Sequence, residues 1–82
     1  HPVGEIKLSE IHIHEGNLQQ LAAFYDAIQI PVNKEHNQLT VQLGETKVVY
    51  YSEPTTLPKI VLKNPNNSNE FIFDQTVYTI KQ

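Results

Sequence analysis

The sequence predicts an α+β fold: a two-layer βαβββ module with one helix packed on a mixed or antiparallel sheet, followed by extra C-terminal strands. Three observations predict it. One segment alternates apolar and polar residues with a period of two, the next repeats its apolar residues every three to four, and the rest is short, turn-punctuated strand-like pieces. Eighty-two residues make one small domain. The expected division is a linker or tag remnant over 1–5, a core module over 6–53 and additional strands over 59–80.

In the first strand, Leu8, Ile11 and Ile13 are apolar while Glu10, His12 and His14 alternate with the isoleucines. Gly16-Asn17 breaks the pattern, and Asn17 is a good helix N-cap because its side-chain oxygen accepts from a free first-turn N–H. Leu18, Leu21, Ala22, Tyr25 and Ile28 then form one apolar stripe, with Phe24 on its flank. Pro31 stops the helix near Gln29. The polar stretch Asn33 to Asn37 reads as a short irregular strand or a loop.

Next comes a hairpin. Leu39, Val41 and Leu43 alternate with Thr40 and Gln42, and Gly44-Glu45 suits a type II′ turn. Thr46 to Tyr51 returns, rich in β-branched and aromatic residues. Pro54 and Pro58 bound a loop, and Lys59 to Lys63 is a further strand. Asn64 to Asn69 is the most turn-rich stretch, and Phe71–Phe73 and Val77–Ile80 end the chain as strand-like pieces. No internal repeat is visible.

The two-residue turn fixes which residues share a face. Leu43 lies opposite Thr46, Val41 opposite Val48 and Leu39 opposite Tyr50, and this set is expected to pack under the helix with Ile11 and Ile13. The other face receives Gln42 opposite Lys47, Thr40 opposite Val49 and Gln38 opposite Tyr51, joined by Glu10, His12 and His14. That face is the expected ligand-binding surface, with Glu10, His12, His14, Gln42, Lys47 and Tyr51 as its candidate residues. A one-residue slip would exchange the two sets. His12 and His14 stand about 7 Å apart on one side of a strand. With Glu10 they form a row suited to a divalent metal or to proton transfer; the plain alternative is a solvated polar strand face. Tyr51 is a candidate floor for a ligand cavity. Tyr50, Phe24 and Tyr25 read as packing residues, and His36 as a surface residue.

Composition excludes several classes. There is no cysteine, so no disulfide and no thiolate ligand or nucleophile. Net charge is −3 and all six basic residues are lysine, which with no basic stripe argues against nucleic acid. No apolar run approaches the roughly 20 residues that span a bilayer, and the cytoplasm is the expected location. No Ser-His-Asp spacing or phosphate loop is present, so no catalytic residue is assigned.

The segment from Glu10 through the cap Asn17-Leu18 to Phe24-Tyr25, followed by the Leu43-Gly44-Glu45-Thr46 turn and its strand, resembles a module of the vicinal-oxygen-chelate superfamily of glyoxalase, bleomycin-resistance and extradiol-dioxygenase proteins. The resemblance covers roughly residues 5–63. The His1-Pro2-x-Gly4 opening, which has no Met, is similar to the inter-module linker of two-module glyoxalase-like proteins, and implies a C-terminal half cut from a longer chain. The resemblance further implies a paired module around a metal, with one ligand near the start of the first strand and a carboxylate after the hairpin turn. Glu10 falls at the first position. The second falls near Val49, which cannot ligate, and His12 or His14 would have to substitute.

Three functional readings follow. The first is a binding or structural half-module that pairs with a second module or as a homodimer and takes a small-molecule ligand. The second is a metal-dependent lyase, isomerase or dioxygenase site completed by a partner module. The third is a protein-interaction domain using a free edge strand such as Val77–Ile80.

Overall fold

The structure, a computed structural model, describes residues 6–53, 57–64 and 68–81. The His1-Pro2-x-Gly4 opening, Pro54 and residues 65–67 of the turn-rich stretch lie outside the described residues. Among the described residues one helix and seven strands follow in the order β1 (Lys7–His14), α1 (Leu18–Ala27), β2 (Val32–Glu35), β3 (Gln38–Leu43), β4 (Thr46–Tyr51), β5 (Lys59–Lys63), β6 (Asn69–Phe73) and β7 (Thr76–Lys81). The strands form one mixed sheet in the order β2-β3-β4-β1-β5-β7-β6. The fold is α+β.

The helix begins and ends for local reasons. Asn17 caps it, its side-chain oxygen accepting from the Gln20 N–H at 3.0 Å. At the other end Gln29 adopts a left-handed φ of 62°. The Ile30 N–H then reaches back to the Tyr25 carbonyl and the Gln29 N–H to that of Asp26, a Schellman closure that satisfies the last carbonyls before Pro31. Tyr25, Leu39 and Val41 form the buried core under α1, joined by Leu18, Leu21, Ala22, Ile30, Val32 and Tyr50. Complete burial of Leu39 contributes roughly 2 kcal/mol of apolar transfer.

The hairpin register is the expected one, from Leu43 opposite Thr46 to Gln38 opposite Tyr51. Gly44 takes φ 63° at the turn. β1 lies parallel beside β4, with Glu10 against Lys47 and His12 against Val49. Its other neighbour is β5, antiparallel, with a bulge between Leu8 and Glu10. The bulge explains the three-residue step from Leu8 to Ile11, since one extra residue lets both sit on the helix side.

The sheet has a topological repeat that the sequence does not display. β1 pairs parallel with β4, which pairs antiparallel with β3; β5 pairs parallel with β7, which pairs antiparallel with β6. The two halves meet at the antiparallel β1–β5 junction, so a local two-fold normal to the sheet relates them. Among the described residues the second half has no counterpart of α1 and β2.

Three expectations are corrected. The helix contacts β2 and β3 at one end of the sheet, so Ile11 and Ile13 are half-buried and lie outside the core cluster. Phe24 points away from that core and is 56% exposed. Val77–Ile80 is no free edge: β7 lies between β5 and β6, and the edge strands are β2 and β6.

Candidate functional site

The side of the sheet away from α1 carries the polar row. In register it presents Glu10, His12 and His14 on β1, Lys47, Val49 and Tyr51 on β4, and Gln38, Thr40 and Gln42 on β3. β5 and β7 add residues the sequence alone did not place there. Lys59 lies opposite His12, Val61 opposite Glu10, and Lys63 pairs Lys81. The period-two pattern of Lys59 to Lys63 held the missing signal, but it shows a face only once β5 is seated against β1.

Glu10, His12 and Tyr51 form one hydrogen-bonded chain. His12 Nε2 lies 2.8 Å from Glu10 Oε1, and His12 Nδ1 lies 2.6 Å from the Tyr51 hydroxyl. A carboxylate can only accept, so Nε2 carries the hydrogen toward Glu10. In the neutral imidazole Nδ1 is then an acceptor, and the Tyr51 O–H donates to it. The two rings also stack, with centroids 5.7 Å apart and planes 20° off parallel. His12 and Glu10 keep 17% and 26% of their side-chain surface exposed, so solvent or a ligand reaches both.

The surroundings shift the two acids of this chain in opposite directions. The hydrogen bond from His12 holds the Glu10 carboxyl below its usual value, with Lys81 and Lys47 adding charge attraction. Burial, and then the Glu10 charge, push the Tyr51 phenol up. Tyr51 therefore keeps its proton at neutral pH and holds it toward His12 as a fixed polar group. Five of the six lysines (Lys7, Lys47, Lys59, Lys63 and Lys81) hold strand positions on this side, against the carboxylates of Glu10, Glu35 and Glu70, in a chain of net charge −3. The polar side is the positive side of an acidic molecule.

The other candidate residues contribute less. His14 is exposed at the end of β1, outside the Glu10–His12–Tyr51 chain. Gln42 folds its amide onto the Gly44 carbonyl at 2.9 Å. Tyr50 points to the helix side, where its hydroxyl meets that of Tyr25 at 2.8 Å. His36 is exposed in the β2–β3 turn. Among the described residues no three His, Asp or Glu side chains converge into a group that could hold a metal ion. A depression of about 260 Å³ lined by Lys7, Leu8, Ser9, Glu45 and Lys63 opens at the β1 bulge, toward the other end of that strand.

Val49 and Val61 complete the surface. Both lie on the side away from α1, yet each is only 1% exposed. Their same-side neighbours, the polar row among them, close over them. Sequence reading marked Val49 as a residue that cannot ligate; its role here is an apolar floor. Comparison of the chain with protein-family models, curated proteins and solved structures gives no match.

Proposed function

We propose that this chain is a glyoxalase-like half-module that binds a small anionic molecule on its polar sheet side and acts in the cytoplasm. The element order from β1 through α1 to β4 supports the module reading. The observation that carries the binding reading is the Tyr51–His12–Glu10 chain, fixed over an apolar floor and ringed by lysines. The lysines supply long-range attraction, and the tyrosine oxygen and the partly exposed imidazole supply direction. No redox or bond-breaking step is assigned to the site.

Amide NMR titration with inorganic phosphate and with a small dicarboxylate tests this. Saturable shifts should map to β1, β4, β5 and β7, and Lys47→Gln with Lys81→Gln should weaken them. Shifts spread over the whole surface, or unchanged in the double variant, would overturn the proposal.

A further inference from the structure

The helix side of the sheet is only half covered. Over β5, β7 and β6 it presents Ile60, Leu62, Tyr78, Ile80 and Phe71, each half-buried or exposed. Phe71 and Tyr78 stack there, with centroids 5.2 Å apart. No charged side chain occupies a strand position on this side of β5, β6 or β7, while the opposite side of the same strands carries three lysines and Glu70. A contiguous apolar surface beside so polar a one marks an interface.

The exposed area is of the size that a second copy would cover. The chain exposes 5830 Å², whereas a compact chain of its mass exposes roughly 5000 Å². The excess is about 800 Å², the area one partner contributes to a standard protein–protein interface. The radius of gyration, 14.4 Å, likewise exceeds the roughly 12 Å of a compact chain this long.

We infer that this apolar side is the interface of a two-fold homodimer in which the β5–β7–β6 surfaces of two copies stack face to face. Packed sheets lie about 10 Å apart, and a helix is about 10–12 Å across. Strands of the second copy therefore fit in the layer that α1 occupies, over the second half of the sheet, where no helix lies among the described residues. A two-fold axis makes the contact reciprocal. An uncharged surface is best matched by another uncharged surface, and a second copy supplies one of the same size. The inference does not depend on the ligand reading, since it uses the opposite side of the sheet.

Sedimentation of the full chain over a wide concentration range, with paired substitutions on one strand, is the test. Phe71 and Ile72 are neighbours on β6 that point to opposite sides. The wild type should reach twice 9.4 kDa. Phe71→Glu should raise the dissociation constant roughly 30-fold or more, as loss of a central anchor does, and Ile72→Glu should leave it unchanged. Methyl NMR of the wild type with a soluble relaxation agent gives an answer free of folding effects: Leu62 and Ile80 should become protected as the chain dimerises, and Ile72 should not. A strictly monomeric wild type, dissociation by Ile72→Glu alone, or a dimer with Leu62 and Ile80 still exposed would each overturn the inference.

Discussion

Replacing Glu10 by Gln isolates the charge in the Glu10–His12 contact, because the amide oxygen can still accept from His12 Nε2 at the observed 2.8 Å. A hydrogen bond to a charged group contributes about 1.5–3 kcal/mol when shielded, while an exposed ion pair contributes about 0–1. Solvent reaches both partners here, so the charge should contribute about 1 kcal/mol. The carboxyl is held below its usual value of 4.5. A depressed acid stabilises the fold fully above its unfolded value and loses that contribution as pH falls through the folded one. Glu10→Gln should therefore cost about 1 kcal/mol in urea unfolding at pH 7, and its deficit should shrink when the same transition is measured in acid, as the pH falls below the carboxyl's usual value. Far-UV circular dichroism follows the transition. Nitrogen NMR of His12 in its neutral form should show hydrogen on Nε2 and an accepting Nδ1. An equal deficit at pH 7 and in acid would mean that the charge contributes nothing and that shape alone explains the loss.

Two further perturbations probe the helix side and the last hairpin. Burial, and then the hydrogen bond with Tyr25, push the Tyr50 phenol up to about 12. The fold should accordingly lose roughly 1–2 kcal/mol between about pH 10 and pH 12, after allowance for partial exposure. Tyr50→Phe should flatten that limb in alkaline denaturation while Tyr51→Phe leaves most of it; an unchanged limb in Tyr50→Phe would sink the assignment. Asp74 and Gln75 both hold positive φ, 51° and 61°, as a type I′ turn requires. Gln75→Gly should relieve about 0.5–1 kcal/mol of strain and raise the melting temperature by a few degrees; a fall by calorimetry would contradict that turn type.

Local chemistry made part of this fold legible. Asn17, the apolar stripe of α1 and Pro31 bound the helix through interactions within a few residues, so sequence spacing locates it. Gly44 fixes a two-residue turn, and that one turn sets the register from Leu43–Thr46 to Gln38–Tyr51. With the face of β1 assigned, Glu10, His12 and Tyr51 could be grouped in advance. Attachment of β5, β6 and β7 could not be read, because the longer stretches 52–58 and 64–68 separate β4 from β5 and β5 from β6 in the sequence. The choice of the free edge of β1 is a tertiary one. For that reason Lys59, Lys63 and Lys81 went unplaced on the polar side, and β7 read as an edge. The Asp74-Gln75 turn also escaped, lacking the Asn-Gly or Asp-Gly signature of its geometry. The lateral position of α1 was hidden too: the stripe predicts which side of the helix is buried, but not which strands bury it.

The Tyr51–His12–Glu10 chain covers Val49 and Val61 and is also the proposed contact point, and one substitution separates these roles. His12→Phe preserves a ring of similar shape beside Val49 and its stacking on Tyr51 while deleting both hydrogen bonds. Glu10 and Tyr51 are partly solvated, so water can replace the lost partner and neither is stranded as a buried unsatisfied group. Phenylalanine also adds apolar cover to the two valines. If the chain serves the fold alone, His12→Phe should stay within about 1 kcal/mol of wild type and leave the phosphate titration unaltered. If it serves recognition, stability should again hold, but the shifts around Tyr51 should disappear while those near Lys63 and Lys81 persist in weakened form. Calorimetry and the NMR titration on the same sample distinguish the cases. Retained shifts at Tyr51 in a stable His12→Phe protein would reduce the polar row to a solvated cover for Val49 and Val61.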